Sequence, residues 1–354
     1  MLFQKEKPLL GLDIGSSSIK LIQLSEARGR LKLERFGIMH LPPELIVDGT
    51  VMDSGSVVET IKELFEEQKT KIKEVALSVS GHSVIVKKIM LPPMSEEELE
   101  ESIKWEAEQY IPFDINDVNM DFHILETTEG PDGKGQMSVL LVAVKKDKLA
   151  EYTSLVNEAG LVPVVLDVDA FALENMFCLN YDFQPEEVVA LVNIGASVMN
   201  INILKNGQFT FTRDISVGGN RYTEAIQKEL NLSYEQADEA KRGGAIPGVE
   251  KDAVETILHV VHSEAASEIS RSFEYFKTTS ANENIDKIIL SGGAAKIRGF
   301  GGFLTEKLSV PVEIANPFRN IEVDHKRFDP GFLEEAGPLA AIGVGLALRR
   351  KGDR

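Results

Sequence analysis

Asp13 and Gly15, followed by Ser16, Ser17 and Ser18, stand at the end of an apolar run in "LLGLDIGSSSIKLIQL" (9–24). These residue types at this spacing can hold phosphate. A glycine in a tight turn lets a ligand approach the backbone. Successive amides can line one concavity, and serine hydroxyls add short donors. An aspartate beside phosphate oxygens can hold a hydrated Mg²⁺. Lys20 is a charge partner if its alternation turns it inward, and a solvated side chain if it does not. The same grammar recurs about 180 residues later in "VVALVNIGASVMNINIL" (188–204), with Asn193, Gly195, Ala196 and Ser197. A third turn, "LSGGAAKIRG" (290–299), offers Gly292, Gly293, Ala294 and Lys296, while Gly218 and Gly219 close "GQFTFTRDISVGG" (207–219). Asp238 and Lys241 in "ADEAK" (237–241) are i,i+3 neighbours that can face one ligand, with a solvated ion pair as the alternative. Neither a G-x-x-x-x-G-K-[ST] nor a G-x-G-x-x-G pattern occurs, so no loop of those kinds feeds a helix. Each turn alone also reads as a structural hairpin or turn. The three in this order carry the nucleotide reading.

The elements that must position these loops read as alternating strands and helices, an α/β pattern. Strands fall at about 9–14, 19–25 and 30–39, a helix at 54–69 and a strand at 75–81. A block over 82–161 reads strand (84–91), helix (95–110), two strands (118–127, 136–144) and helix (147–160). Ser95 with Glu98 three residues on forms a capping box, and "EGPDGKGQ" (129–136) a hairpin turn. Strand 161–169 and helix 170–181 follow, and then the pattern restarts at 188. Helices are expected at 220–230, 233–242, 251–278 and 336–349, with a strand at 287–293 that breaks at paired glycines and leads into "FGGFLTEKL" (300–308). An internal duplication is therefore the main organisational fact. It divides the chain into a first domain (1–81 with 162–186 and 336–354), an inserted module (82–161) and a second domain (187–335, helical over about 220–285).

The formal net charge of −18 argues against a broad nucleic-acid surface. One cysteine, Cys178, excludes an internal disulfide or a cysteine-based zinc site and fits a reducing cytoplasm. "PLAAIGVGLAL" (338–348) is the longest apolar run and falls well short of the roughly 20 residues that span a bilayer. "HVVH" (259–262), with Glu264 nearby, reads as a metal pair or as structural helix residues.

The loops in this order resemble those of the actin-like ATPase superfamily. That resemblance implies a duplicated actin-like (ribonuclease H-like) two-domain fold with a nucleotide cleft, and ATP with Mg²⁺ as cofactors. It makes 9–24 the first phosphate loop, 190–204 the second and 288–303 the adenosine motif, with Asp13 holding the metal through water. "SIKWEAEQYIPFDINDV" (102–118), "VVLDVDAFALENMF" (164–177) and "FTRDISVGG" (211–219) narrow the resemblance to the FtsA/PilM branch, and most closely to the PilM family of type IV pilus assembly. The block 82–161 resembles the β-α-β-β module of that branch. The resemblance implies a cytoplasmic scaffold, peripheral to the inner membrane, that binds the N-terminal tail of an inner-membrane PilN-type protein. Other pilus motor and platform components would be further partners, with self-association open and no direct membrane insertion. Trp105, Tyr110, Ile111 and Phe113 are candidates for the tail groove, with the module's own core as the alternative reading. Asp169 stands nearest the position where relatives carry a water-orienting Gln or Glu, and Asn193 where many carry Asp. Both departures imply slow or negligible ATPase turnover. Two other readings stay open: an FtsA-like division protein, disfavoured by the ending "LALRRKGDR" (346–354), and a small-molecule kinase.

Overall fold

The computed structural model describes residues 9–47, 49–129, 135–280 and 283–353. The first half runs β1 (Leu10–Ile14), β2 (Ser18–Ala27), β3 (Arg30–His40), a short ribbon of β4 (Ile46–Val47) and β5 (Thr50–Val51), α1 (Ser54–Glu67) and β6 (Glu74–Val79). Then come β7 (Val84–Leu91), α2 (Glu96–Ala107), β8 (Val118–Glu129), β9 (Gly135–Lys145), α3 (Lys146–Glu158), β10 (Val162–Val168) and α4 (Asp169–Asn180). The second half runs β11 (Val188–Ile194), β12 (Met199–Lys205), β13 (Gln208–Ile215), α5 (Gly219–Leu230), α6 (Tyr234–Lys241), α7 (Lys251–Thr279), β14 (Lys287–Ser291), α8 (Phe300–Leu308) and β15 (Val312–Ile314). It closes with α9 (Pro330–Ala336) and α10 (Ala341–Ala347). No helix among the described residues is long and apolar enough to cross a membrane.

The duplication is visible in the hydrogen-bonded order of the strands. The first sheet is β10-β6-β1-β2-β3 and the second β15-β14-β11-β12-β13. In each half the central strand pairs antiparallel with the strand after it and parallel with a strand reached by a crossover. Such central strands are buried on both faces and read as continuous apolar runs, as β1 and β11 do. Register repeats too: Asp13 faces Lys20, and Asn193 faces Asn200.

Between the sheets lies a layer of two helices, α4 and α10. Leu173, Met176 and Phe177 of α4 and Ile342, Val344 and Leu346 of α10 share one core with Ile22 and Leu24 of the first sheet and Val189, Leu191 and Ile289 of the second. The helices approach closely because Gly345 brings its backbone against that of Ala172. The helix expected over 336–349 is divided: α9 ends at Ala336, a 3-10 turn covers Gly337–Ala340, and α10 follows. Pro338 lacks the N–H that a continuous helix would need there, and its carbonyl accepts instead from Gly292 N–H at 2.9 Å.

The inserted module is the three-stranded sheet β7-β9-β8 with α2 across one face. The capping box at Ser95 and Glu98 is formed. Leu99, Ile103 and Ala107 meet Ile89, Val139 and Leu141 in a core of the module's own. Tyr152, Leu155 and Val156 of α3, expected with the module, pack with Leu10, Leu12 and Ile61 of the first domain, and Val144 of β9 joins the same core. Most of the 129–136 turn lies outside the described residues.

Candidate functional site

The two β-hairpin tips face one cleft of about 580 Å³. Each tip is closed the same way: Gly15 N–H donates to Ser18 O at 3.1 Å, and Gly195 N–H to Val198 O at 2.9 Å. Leu41 N–H holds the first tip through Ser17 O at 2.9 Å. The first amides of α5 hold the second, Gly219 to Gly195 O and Asn220 to Ala196 O, both at 2.8 Å. Every nucleotide candidate named from the sequence lines this cleft except Gly218. Gly218 packs behind the second tip, where a Cβ would collide with the backbone of Ala196. Gly292 closes the cleft from the third side with φ +84°, and a Cβ there would collide with Ile194 backbone.

Lys20 turns inward and pairs with Asp13 at 3.1 Å. In the second half Asn193 Nδ2 donates to Asn200 Oδ1 at 3.0 Å, and Ser291 Oγ donates to Asn193 Oδ1 at 3.2 Å. Asp238 bridges Lys241 at 2.6 Å and Arg242 at 2.5 Å, while Lys241 also donates to Thr223 Oγ1 at 2.8 Å. Burial holds the Lys241 ammonium below its ordinary value. Lys296 pairs with Glu335 at 3.3 Å.

Asp169 begins α4 on the cleft wall and accepts from Ser78 Oγ at 2.6 Å. Burial, reinforced by the Asp13 charge, pushes its carboxyl up to about 7 against the hydrogen bonds from Ser78 and Ser80. A carboxyl so poised exchanges a proton near neutrality, which suits a base for an attacking water. Sequence reasoning missed Ser78, Ser80, Tyr152 and Asn200 on the lining. Asn200 was findable, as the register partner of Asn193 in a hairpin already singled out. Tyr152 had no local signal, because α3 reaches the cleft only through tertiary packing.

The groove candidates part company. Ile111 is buried in the module's core, while Tyr110 and Phe113 pack against that core and stay half-buried. Trp105 is 79% exposed. The histidines of 259–262 are structural: His262 is buried with Nδ1 2.9 Å from Tyr222 Oη and Nε2 3.2 Å from Arg298 O, and His259 packs on Phe303. Among the described residues no cluster of His, Cys, Asp and Glu could hold a metal.

The family described as type IV pilus assembly protein PilM matches residues 11–351. A solved structure described as the PilM-PilN type IV pilus biogenesis complex superimposes with a TM-score of 0.86 at 33% identity, over 98% of this chain and 99% of that one. MreB5 of Spiroplasma citri bound to ADP superimposes over 96% of this chain and 94% of that one, with a TM-score of 0.52 at 12% identity, a likeness of fold alone. The cell division protein FtsA of Bacillus subtilis (strain 168) is 23% identical over 257 residues, 66% of this chain and 57% of its own length.

Proposed function

Because the chain belongs to the PilM family of type IV pilus assembly proteins, we propose that it is an ATP-binding scaffold of the pilus machine that captures the N-terminal tail of an inner-membrane PilN-type protein. The observation that carries the partner is the likeness to the PilM-PilN complex, which extends over nearly the whole of both chains. Through that tail the protein would sit against the inner membrane without entering it. The observation that carries ATP is the cleft itself. Two matched hairpin tips and the Gly292–Gly293 turn converge on it, with Lys20, Lys241 and Lys296 on its walls.

Asp13 is the carboxylate at a loop tip and is already compensated by Lys20. That donor set fits Mg²⁺ held through water and phosphate oxygens, not a full protein cage. Bound there, the metal would supply positive charge to the phosphates. The amides of Ser16 and Ser17 and of Ala196 and Ser197 would orient those phosphates, and Asp169 would accept a proton from water. With Asn193 in place of a second tip carboxylate, turnover is expected below about one per second, the lower end for competent phosphoryl-transfer enzymes.

The test is binding of a labelled PilN-type N-terminal peptide and, separately, of ATP with magnesium. Peptide capture in the micromolar range or tighter supports the scaffold, and its absence removes it. Loss of ATP binding in Asp13→Ala supports the cleft assignment, and unchanged ATP affinity in that variant removes it.

A further inference from the structure

The two halves match at their loop tips but differ one strand further out. In the first half the tip pair is Asp13 and Lys20, and the residue facing Lys20 on β3 is Ile38, so polarity ends there. In the second half the tip pair is Asn193 and Asn200, and the residue facing Asn200 on β13 is Asp214. Asn193, Asn200 and Ser291 are buried, yet they form a directed line of hydrogen bonds through the sheet. Ser291 donates to Asn193 at 3.2 Å, Asn193 to Asn200 at 3.0 Å, and Asn200 Nδ2 to Asp214 Oδ1 at 2.9 Å. The line continues out of the second domain. Asp214 Oδ2 accepts from Gly81 N–H at 2.6 Å, and Ser216 Oγ meets His82 Nε2 at 2.9 Å. Gly81 and His82 lie between β6 and β7, where the chain leaves the first domain for the inserted module. Gly81 has φ +86°, a conformation that glycine alone adopts without strain.

We propose that this line is a relay that makes the seating of the inserted module on the second domain depend on what fills the cleft. The inference rests on the nucleotide reading above. An ionised Asp214 only accepts, so Asn200 must offer it nitrogen and turn oxygen toward Asn193. The line therefore has a single sense. Asn193 lines the cleft. An occupant that turns the Asn193 amide over sets its oxygen against Asn200 Oδ1. Asn200 must turn in response, and its oxygen then faces the Asp214 carboxylate. Two acceptors repel, and the carboxylate withdraws from Gly81. The seated and released states thus differ in contacts that a cleft ligand changes directly, as a population shift requires.

The chain supplies its own probes. It has one tryptophan, Trp105 on α2 of the module, and one cysteine, Cys178 on α4, and both are exposed. Cys178 sits against the second domain, its thiol donating to Gly207 O at 3.5 Å, so a thiol-reactive energy acceptor there makes a distance pair between that domain and the module. The full chain is titrated with ATP and magnesium, with binding followed separately by calorimetry. We expect a saturable change in transfer efficiency that tracks occupancy. Asp214→Asn keeps the side-chain shape but can satisfy Asn200 or Gly81, not both. It is expected to start at the released transfer value and lose the ATP response, with affinity within about threefold of wild type, under 1 kcal/mol. Asn200→Leu is expected to keep the seated value and lose the response at saturating ATP. A wild-type-like response in either variant overturns the relay. So does ATP binding to the wild type without any change in transfer. Failure of the wild type to bind ATP overturns the nucleotide reading and the relay with it.

Discussion

Asp169 shows how much of the site is set by surroundings and not by residue type. An aspartate in an unfolded chain titrates near 3.9, whereas burial beside Asp13 pushes this one up to about 7. Between those values the folded state holds a proton that the unfolded state has lost. The neutral carboxyl adds no cost at low pH. Stability therefore falls as pH rises across that window, from about 4 to about 7, and is level above it, where both states carry the charge. Asp169→Asn, which still accepts from Ser78, is therefore expected to melt higher than the wild type at pH 8 and to converge with it near pH 4. An equal gain at both pH values in a scanning-fluorescence series would contradict this. His262 runs the other way. Burial lowers its pKa, so the unfolded chain takes the proton first and stability falls as pH drops below roughly 6.5. That acid-side loss should be smaller in His262→Gln. At this scale the sequence showed residues whose partners are local, such as Asp13 and Lys20, seven apart in one hairpin. It could not show that Ser78 meets Asp169, 91 residues away.

At the scale of elements, small residues decide how closely helices approach. A methyl on Gly345 would run into the backbone of Ala172, and one on Gly11 into the backbone of Gly343. Neither obstacle is a flexible side chain, so relief requires moving α4, α10 or β1 as a body. Gly345→Ala should therefore cost at least the roughly 1–3 kcal/mol of ordinary overpacking. Gly302, inside α8, has nothing within 4 Å of a built Cβ, so Gly302→Ala should gain about 0.5–1 kcal/mol from helix propensity. Urea denaturation of the two variants checks both signs, and a tolerated Gly345→Ala would show that the α4–α10 crossing has slack. Strands and most helices were legible because periodicity reports which residues share a face. Periodicity does not report what that face covers. This is why the pattern alone groups α3 with the module although Tyr152, Leu155 and Val156 lie in the first domain's core. The run of small residues after Ala336 likewise hid the break that Pro338 imposes.

For the whole molecule, the α4–α10 layer has a consequence for cooperativity. Its core takes residues from both five-stranded sheets, so neither sheet can lose its inner face without exposing the other's. Sequence repetition revealed the two halves. It could not reveal that they share a core, since Leu24 and Leu191 are joined only by the fold. The module is different, because Ile89, Leu99, Val139 and Leu141 belong to a core of its own. Calorimetry is therefore expected to give one main transition for both sheets, and hydrogen exchange to find α2 and β8 opening at lower cost than β1 or β11. Two separated transitions assigned to the two sheets would refute the shared core. A ligand seated between the sheets stabilises that single unit by mass action, about 2.7 kcal/mol at a hundred times its Kd. ATP with magnesium should thus raise the main transition as a whole, not split it. Asp13→Ala should abolish the rise while leaving the transition single, because Asp13 faces the cleft and takes no part in the layer that couples the sheets.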